Sequence, residues 1–259
     1  MDQSSPPFLE IRDLVARFTS HLGELDALGG VTFNVARGEF VCLVGPSGCG
    51  KSTLLRIVAG LIPPSAGEVR LEGRPQRAPA SQVGLVFQQP TLLPWRSVRD
   101  NVRLPLELER RAPDEIERTT ADLLALVGLS DFAGEYPGNL SGGMAQRAAI
   151  ARALAQSPEA LLLDEPFGAL DALTREAMAA ELLRIWERLR RTVLMVTHNV
   201  EEAALLADRV VVLSPRPGRV VEIVDVPLTR PRSPGLLSTP ALQSVAQRLR
   251  DALARGAAR

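Results

Sequence analysis

The sequence predicts an α/β protein, a doubly wound parallel-sheet core with an N-terminal antiparallel β subdomain and a helical insertion. Three observations lead there. Short runs rich in Val, Leu and Ile and bounded by turn residues (FVCLVG, LLLDEP, TVLMVTH, RVVVLS) have the unbroken apolar character of strands covered on both faces. Helically spaced segments such as KSTLLRIVAGL and TREAMAAELLRIWERLRR lie between them. Two regions break the alternation: residues 8–40 with 67–72 (LEIRDLVARF, GVTFNV, GEVRLE) read as antiparallel strands, and residues 95–155 read as helical throughout.

The elements follow in order. FVCLVG runs directly into a Gly-rich loop, and a helix follows it. Inside the insertion, Pro113, Asp114 and Glu115 suit a helical first turn, and Gly128 suits its end. LLLDEP, TVLMVTH and RVVVLS are the later core strands. Beyond residue 225 the chain is rich in Pro, Arg and Ser and closes with an amphipathic helix, LQSVAQRLRDALAR.

Composition limits the function. The chain has 259 residues, 46% of them hydrophobic, enough for one core. Thirty acidic side chains balance thirty basic ones, which argues against a general nucleic-acid or anionic-membrane surface. No apolar run approaches the ~20 residues of a membrane span. MDQSSPPFLE has neither a charged n-region nor an apolar h-region, so no signal peptide is expected. Two cysteines, Cys42 and Cys49, make no disulfide framework and fit a reducing cytosol.

GPSGCGKST contains the only lysine of the chain. Gly45, Pro46, Ser47, Gly48, Cys49, Gly50, Lys51 and Ser52, followed by Thr53, satisfy G-x-x-x-x-G-K-S/T between a strand and a helix. The glycines let backbone N–H groups converge on phosphate oxygens, and the helix start adds its positive end. Lys51 is expected to reach the β- and γ-phosphates, and Ser52 to offer a hydroxyl to Mg²⁺. An ammonium is a compact point charge where a guanidinium is a wide fork, so a loop closed on phosphate accepts lysine and not arginine. Cys49 sits at the helix start beside Lys51, and both features predict a lowered thiol pKa and a reactive thiolate.

Further candidates stand at strand ends. In LLLDEP, Asp164 is suited to hold Mg²⁺ through water and Glu165 to polarise an attacking water as general base. His198 follows TVLMVT and can face the same phosphate; Gln88 follows VGLVF, and its position alone leaves a binding and a plain loop role equally open. In LSGGMAQRAAIARAL, Ser141 can cap a helix whose first N–H groups Gly142 and Gly143 leave open to an anion. An ordinary capped, Ala-rich helix fits that stretch as well. One lysine loop and one separate Ser-Gly-Gly helix start per chain suggest a head-to-tail pair closing over two nucleotides.

The order GPSGCGKST, VFQQ, LSGGMAQR, LLLDEP, GALD, THN resembles the ATP-binding subunit of ATP-binding cassette (ABC) transporters, from about residue 8 to 225. The resemblance implies a P-loop NTPase (RecA-like) core, a helical subdomain over about 95–155 and a tail at 226–259. It makes Lys51 and its loop the Walker A site and Asp164 with Glu165 the Walker B site. Gln88 becomes the Q-loop residue that touches Mg²⁺ and communicates with the membrane subunits. Leu140 to Gln146 is the signature, Asp171 the D-loop aspartate and His198 the switch histidine. Phe18 falls where the family stacks an aromatic ring on adenine. FQQPTLLPWRSVRDNV and LSPRPGRVV look like the nitrate, sulfonate and taurine type of bacterial importer. Trp95 lies where this family docks on its permease, and an ordinary core tryptophan is the alternative. No regulatory β domain is expected after the sheet.

The resemblance thus implies an ATPase using ATP and Mg²⁺, a homodimer, permease subunits and indirectly an extracytoplasmic solute-binding protein. It implies a peripheral place on the cytoplasmic face of the cell membrane and no nucleic acid. A soluble cassette ATPase of translation or DNA repair would fuse two cassettes or carry a long coiled coil, and the sequence has neither. A dead nucleotide-binding module would not need both Glu165 and His198. The transported solute is chosen by other chains.

Overall fold

The computed structural model describes residues 7–20 and 23–258. The signal-peptide reading rests largely on residues 1–6, which lie outside the described residues. The chain divides into two compact units: one takes the N-terminal part up to Ala80 and the chain again from Arg190, the other is Ser81–Leu189.

The first unit holds an antiparallel sheet of β1 (Leu9–Ser20), β2 (Gly23–Val35), β4 (Ala66–Leu71) and β5 (Arg74–Pro75), in the order β2-β1-β4-β5. These are the strands expected near the N-terminus, with the two-residue β5 in addition. The same unit carries the parallel strands β3 (Phe40–Val44), β8 (Thr192–Thr197) and β9 (Arg209–Leu213), with β10 (Val220–Asp225) antiparallel on β9. Every residue of β3 and β8 is buried, which is why neither strand alternates in the sequence. Helix α1 (Lys51–Val58) packs on β8, α6 (Val200–Leu206) on β3, and α7 (Pro240–Ala257) on α6, β9 and β10.

In the second unit β6 (Val83–Val86) and β7 (Ala160–Asp164) pair in parallel. Helices α2 (Val98–Leu108), α3 (Pro113–Leu126) and α4 (Gly142–Leu154) meet around Leu106, Ile116, Leu123 and Ala155. Helix α5 (Ala172–Leu189) follows β7 and packs on α4. Pro113 opens α3 with Asp114 and Glu115 in its first turn. Gly128, at φ +65°, closes it: Gly128 N donates to Ala125 O (3.2 Å) and Leu129 N to Leu124 O (2.8 Å), a Schellman ending.

One expectation needs correction. Residues 95–155 are not helical throughout. Between Gly128 and Ser141 the chain makes two short 3₁₀ turns, Ser130–Phe132 and Pro137–Asn139, where Gly134, Pro137 and Gly138 oppose a regular helix. In the tail after 225 the Pro/Arg/Ser-rich stretch is anchored ahead of its helix α7. Arg232 is buried and donates to Leu205 O, Ala207 O, Val226 O and Leu228 O. Burial lowers its pKa to about 10, the neighbouring Arg230 adding to that and Asp208 opposing it, so it is charged at neutral pH.

Arg232→Ala leaves four carbonyls without this donor, two of them at the C-terminal end of α6. The expected cost is about 3 kcal/mol of unfolding free energy, measured by denaturant titration; a loss below about 1 kcal/mol would show that the buried cation does not hold the tail.

Candidate functional site

In the first unit the candidate residues leave neighbouring strands at one level. Val44, the last residue of β3, pairs with Thr197 of β8 and with Val212 of β9. Gly45 and His198 therefore emerge side by side at the carboxyl ends of parallel strands, where α/β sheets bind ligands. His198 is exposed, and its backbone is clamped from both sides. Asn199 N donates to Thr197 Oγ1 (3.0 Å), Thr197 Oγ1 donates to Glu202 Oε2 (2.9 Å), and Asn199 Oδ1 caps α6 by accepting from Glu201 N and Glu202 N.

Loop 45–53 wraps its own lysine. Lys51 opens α1 and is 5% exposed. Its Nζ donates to Gly45 O (2.8 Å) and Pro46 O (2.9 Å). Gly50 precedes the helix at φ +101°, and no side chain caps the helix start. A Cβ at Gly50 would stand 2.6 Å from Ala27 O, so glycine is required there by both backbone and space. Phe18 lies on β1 and is 41% exposed.

The expected low pKa of Cys49 is overturned. Cys49 is 1% exposed, and burial pushes its thiol pKa up. The charge of Lys51 and backbone N–H groups pull the other way with smaller effect. Desolvation penalises the thiolate more than the nearby ammonium and N–H groups favour it.

In the second unit Val86 of β6 pairs with Leu163 of β7, so Gln88 and the Asp164–Glu165 pair also leave adjacent strands at matching levels. Asp164 is buried at the end of β7. Glu165 has φ +43°, a left-handed turn that breaks strand alternation directly after it. A Cβ built on Gly168 would stand 3.1 Å from Gln88 Nε2 and 3.4 Å from Glu165 Oε2, so amide and carboxylate flank the same glycine. Gln146 Nε2 of α4 donates to Phe87 O (3.4 Å), tying α4 to the segment that carries Gln88.

Ser141 caps α4, its Oγ accepting from Met144 N (3.3 Å). The two glycines behind it have a packing reason too. A Cβ on Gly142 would lie 3.1 Å from Leu170, and one on Gly143 3.1 Å from Thr174. Asp171 has a structural duty at the start of α5: its carboxylate accepts from Thr174 N (3.0 Å) and Thr174 Oγ1 (2.6 Å), which lowers its pKa. Trp95 is 71% exposed, which removes the core-tryptophan alternative.

Sequence reasoning passed over Gly168, Arg216 and Gly218. Gly168 lay unremarked inside GALD, and Arg216 and Gly218 inside LSPRPGRVV. Nothing in the spacing told which loops those residues would touch.

The family model described as ABC transporter matches residues 28–168. The aliphatic sulfonates import ATP-binding protein of Burkholderia cenocepacia is 47% identical over 97% of this chain and 89% of its own length. The nitrate import ATP-binding protein of Synechococcus elongatus is 46% identical over 87% of this chain and 83% of its own. Among solved structures, a dimeric post-hydrolysis state of the ATP-binding cassette MJ0796 bound to ADP and Pi matches with a TM-score of 0.75 and 32% identity, covering 85% of this chain and 100% of that one.

Cys49 is expected to react with a maleimide at neutral pH far more slowly in the folded chain than after denaturation, as followed by mass spectrometry. Its raised pKa keeps the thiol neutral in the folded state. That contribution to stability is complete below the ordinary thiol pKa and is lost as pH climbs through the raised one. Rapid labelling of native Cys49 at pH 7 would restore the reactive-thiolate expectation.

Proposed function

The chain belongs to the ABC transporter family, and on that premise we propose that it is the ATP-hydrolysing subunit of an importer for nitrate, a sulfonate, taurine or a related small solute. The observation that carries the reading is the phosphate loop: a buried ammonium ringed by loop carbonyls, at the carboxyl edge of parallel strands, beside an uncapped helix start and His198.

Each residue then has a chemical task. Lys51 has two of its three N–H donors on loop carbonyls, which aims the ammonium while it offers charge to the β- and γ-phosphates. Loop N–H groups between Gly45 and Thr53 take phosphate oxygens. Glu165 orients and polarises the attacking water, and His198 senses the γ-phosphate. Gln88, close to Glu165 around Gly168, adds an amide oxygen. Phe18 stacks on adenine. Ser141, Gly142 and Gly143 present a capped helix start to the nucleotide of a second copy, and Asp171 contributes at the same face.

Mg²⁺ fits the donors available. Ser52, Gln88 and Asp164 supply hydroxyl, amide and carboxylate oxygens, the hard ligands that this ion prefers. When bound, the cation neutralises charge on the β- and γ-phosphates.

No described helix is long and apolar enough to cross a membrane; the similarity to import ATP-binding proteins supports separate permease subunits as partners. Exposed Trp95, ahead of α2, is the contact proposed for them. We assign residues 8–225 to the cassette, about 95–155 to its helical subdomain and 226–259 to a tail held on the first unit. A solute-binding protein acts through the permease, and the subunit works on the cytoplasmic face.

Glu165→Gln should slow ATP hydrolysis by about 10²–10⁴-fold while nucleotide stays bound. The variant should then elute as an ATP-dependent dimer on a sizing column, and adding Ser141→Arg should abolish that dimer. A monomer at saturating ATP would sink the head-to-tail arrangement. Lys51→Arg keeps the charge but replaces a point donor by a fork, so turnover should be lost and nucleotide affinity weakened. Near-native turnover in Lys51→Arg would refute the steric account of the lone lysine.

A further inference from the structure

The turn between β9 and β10, Ser214 to Arg219, lies against the phosphate loop. Arg216 Nε and Nη2 both donate to Gly48 O, at 3.0 and 2.8 Å. Gly218 touches the next peptide: a Cβ there would stand 2.2 Å from Cys49 O, so only glycine can occupy the position. The turn is anchored in its turn. Gly218 N donates to Ala27 O (3.0 Å), Gly29 N donates to Gly218 O (3.0 Å), and Arg219 N donates to Ser214 Oγ (3.1 Å).

In a planar trans peptide C=O and N–H point opposite ways. The carbonyl of Gly48 is drawn to Arg216, and the N–H of that same peptide turns back to Pro46 O (3.3 Å). The carbonyl of Cys49 faces Gly218, so the Gly50 N–H is turned away from it. Gly48 and Gly50 have φ of +75° and +101°, backbone states that a free glycine loop would leave readily.

We infer that Arg216 is a positioning residue for nucleotide binding: with Gly218 it clasps the outer side of the phosphate loop and fixes two consecutive peptides, Gly48–Cys49 and Cys49–Gly50, the second with its N–H turned away from Gly218. The inference rests on the reading of residues 45–53 as the phosphate site. Without the clasp the loop must order itself on binding, which weakens affinity and leaves the chemical step alone. Arg216 is exposed, so the core does not depend on it.

The test uses the full chain and a fluorescent ATP analogue, with ATPase kinetics and the nucleotide-free thermal midpoint. Arg216→Ala should raise Kd and KM roughly tenfold, the loss of two charge-assisted hydrogen bonds, with kcat within about twofold and the midpoint unchanged. Arg216→Lys, a single point donor, should fall between. Arg219→Ala removes the same charge without touching the loop and should keep wild-type affinity. Wild-type affinity in Arg216→Ala, an equal loss in Arg219→Ala, or a fallen midpoint that accounts for the loss would each overturn the clasp. Lys51→Ala separates the two readings. If it too binds normally, the phosphate-site reading fails and the clasp with it; if it loses nucleotide while Arg216→Ala does not, the clasp alone fails.

Discussion

Val44 pairs in register with Thr197 on one side and with Val212 on the other, inside strands that are buried along their length. Nearly everything else in the first unit follows from that pairing. Slipping a strand by one residue would exchange its faces and drag the loop it carries along the sheet. With the register held, the phosphate loop, His198 and the Ser214–Arg219 turn leave three adjacent strands together. Val86 and Leu163 impose the same discipline in the second unit, where Gln88 and the Asp164–Glu165 pair leave together. Buried strands thus position the candidate residues without any side chain having to reach far.

A second theme is what replaces lysine. Across the chain, guanidinium groups close off backbone carbonyls at the ends of elements. Arg147 holds Val127 O and Gly128 O, Arg152 holds Pro90 O and Thr91 O, Arg175 holds Leu170 O, and Arg232 gathers four carbonyls at once. A planar fork with five donors serves several acceptors from one stem. At the phosphate loop the need is the reverse, one compact charge between two carbonyls with a donor left over, and Lys51 fills it. Arg216 then serves that loop from outside, in the carbonyl-holding role that arginine has elsewhere in the chain.

Cys49 illustrates how local reasoning can point the wrong way. A thiol at a helix start beside an ammonium is expected to ionise easily, and both features are present. Burial outweighs them, because the side chain is almost wholly removed from solvent. Asp171 carries a similar lesson in milder form: a residue expected at the nucleotide also caps α5, so a loss of activity on its removal would have two causes.

The sequence by itself determined the core strands, the Gly-rich loop ahead of α1, the carboxylates after β7 and the capped start of α4, since each is carried by contiguous residues. Gly128 ending α3 and Ser141 capping α4 were legible for that reason. The family followed from the resemblance of its motifs in their order. Contacts between segments distant in the chain were decided only by the tertiary structure. Arg216 meets Gly48 across 168 residues, Gly218 fits against Cys49, and Arg232 reaches Leu205 across 27. The Cys49 pKa belongs with these, because desolvation depends on everything packed around a group and not on its neighbours in sequence.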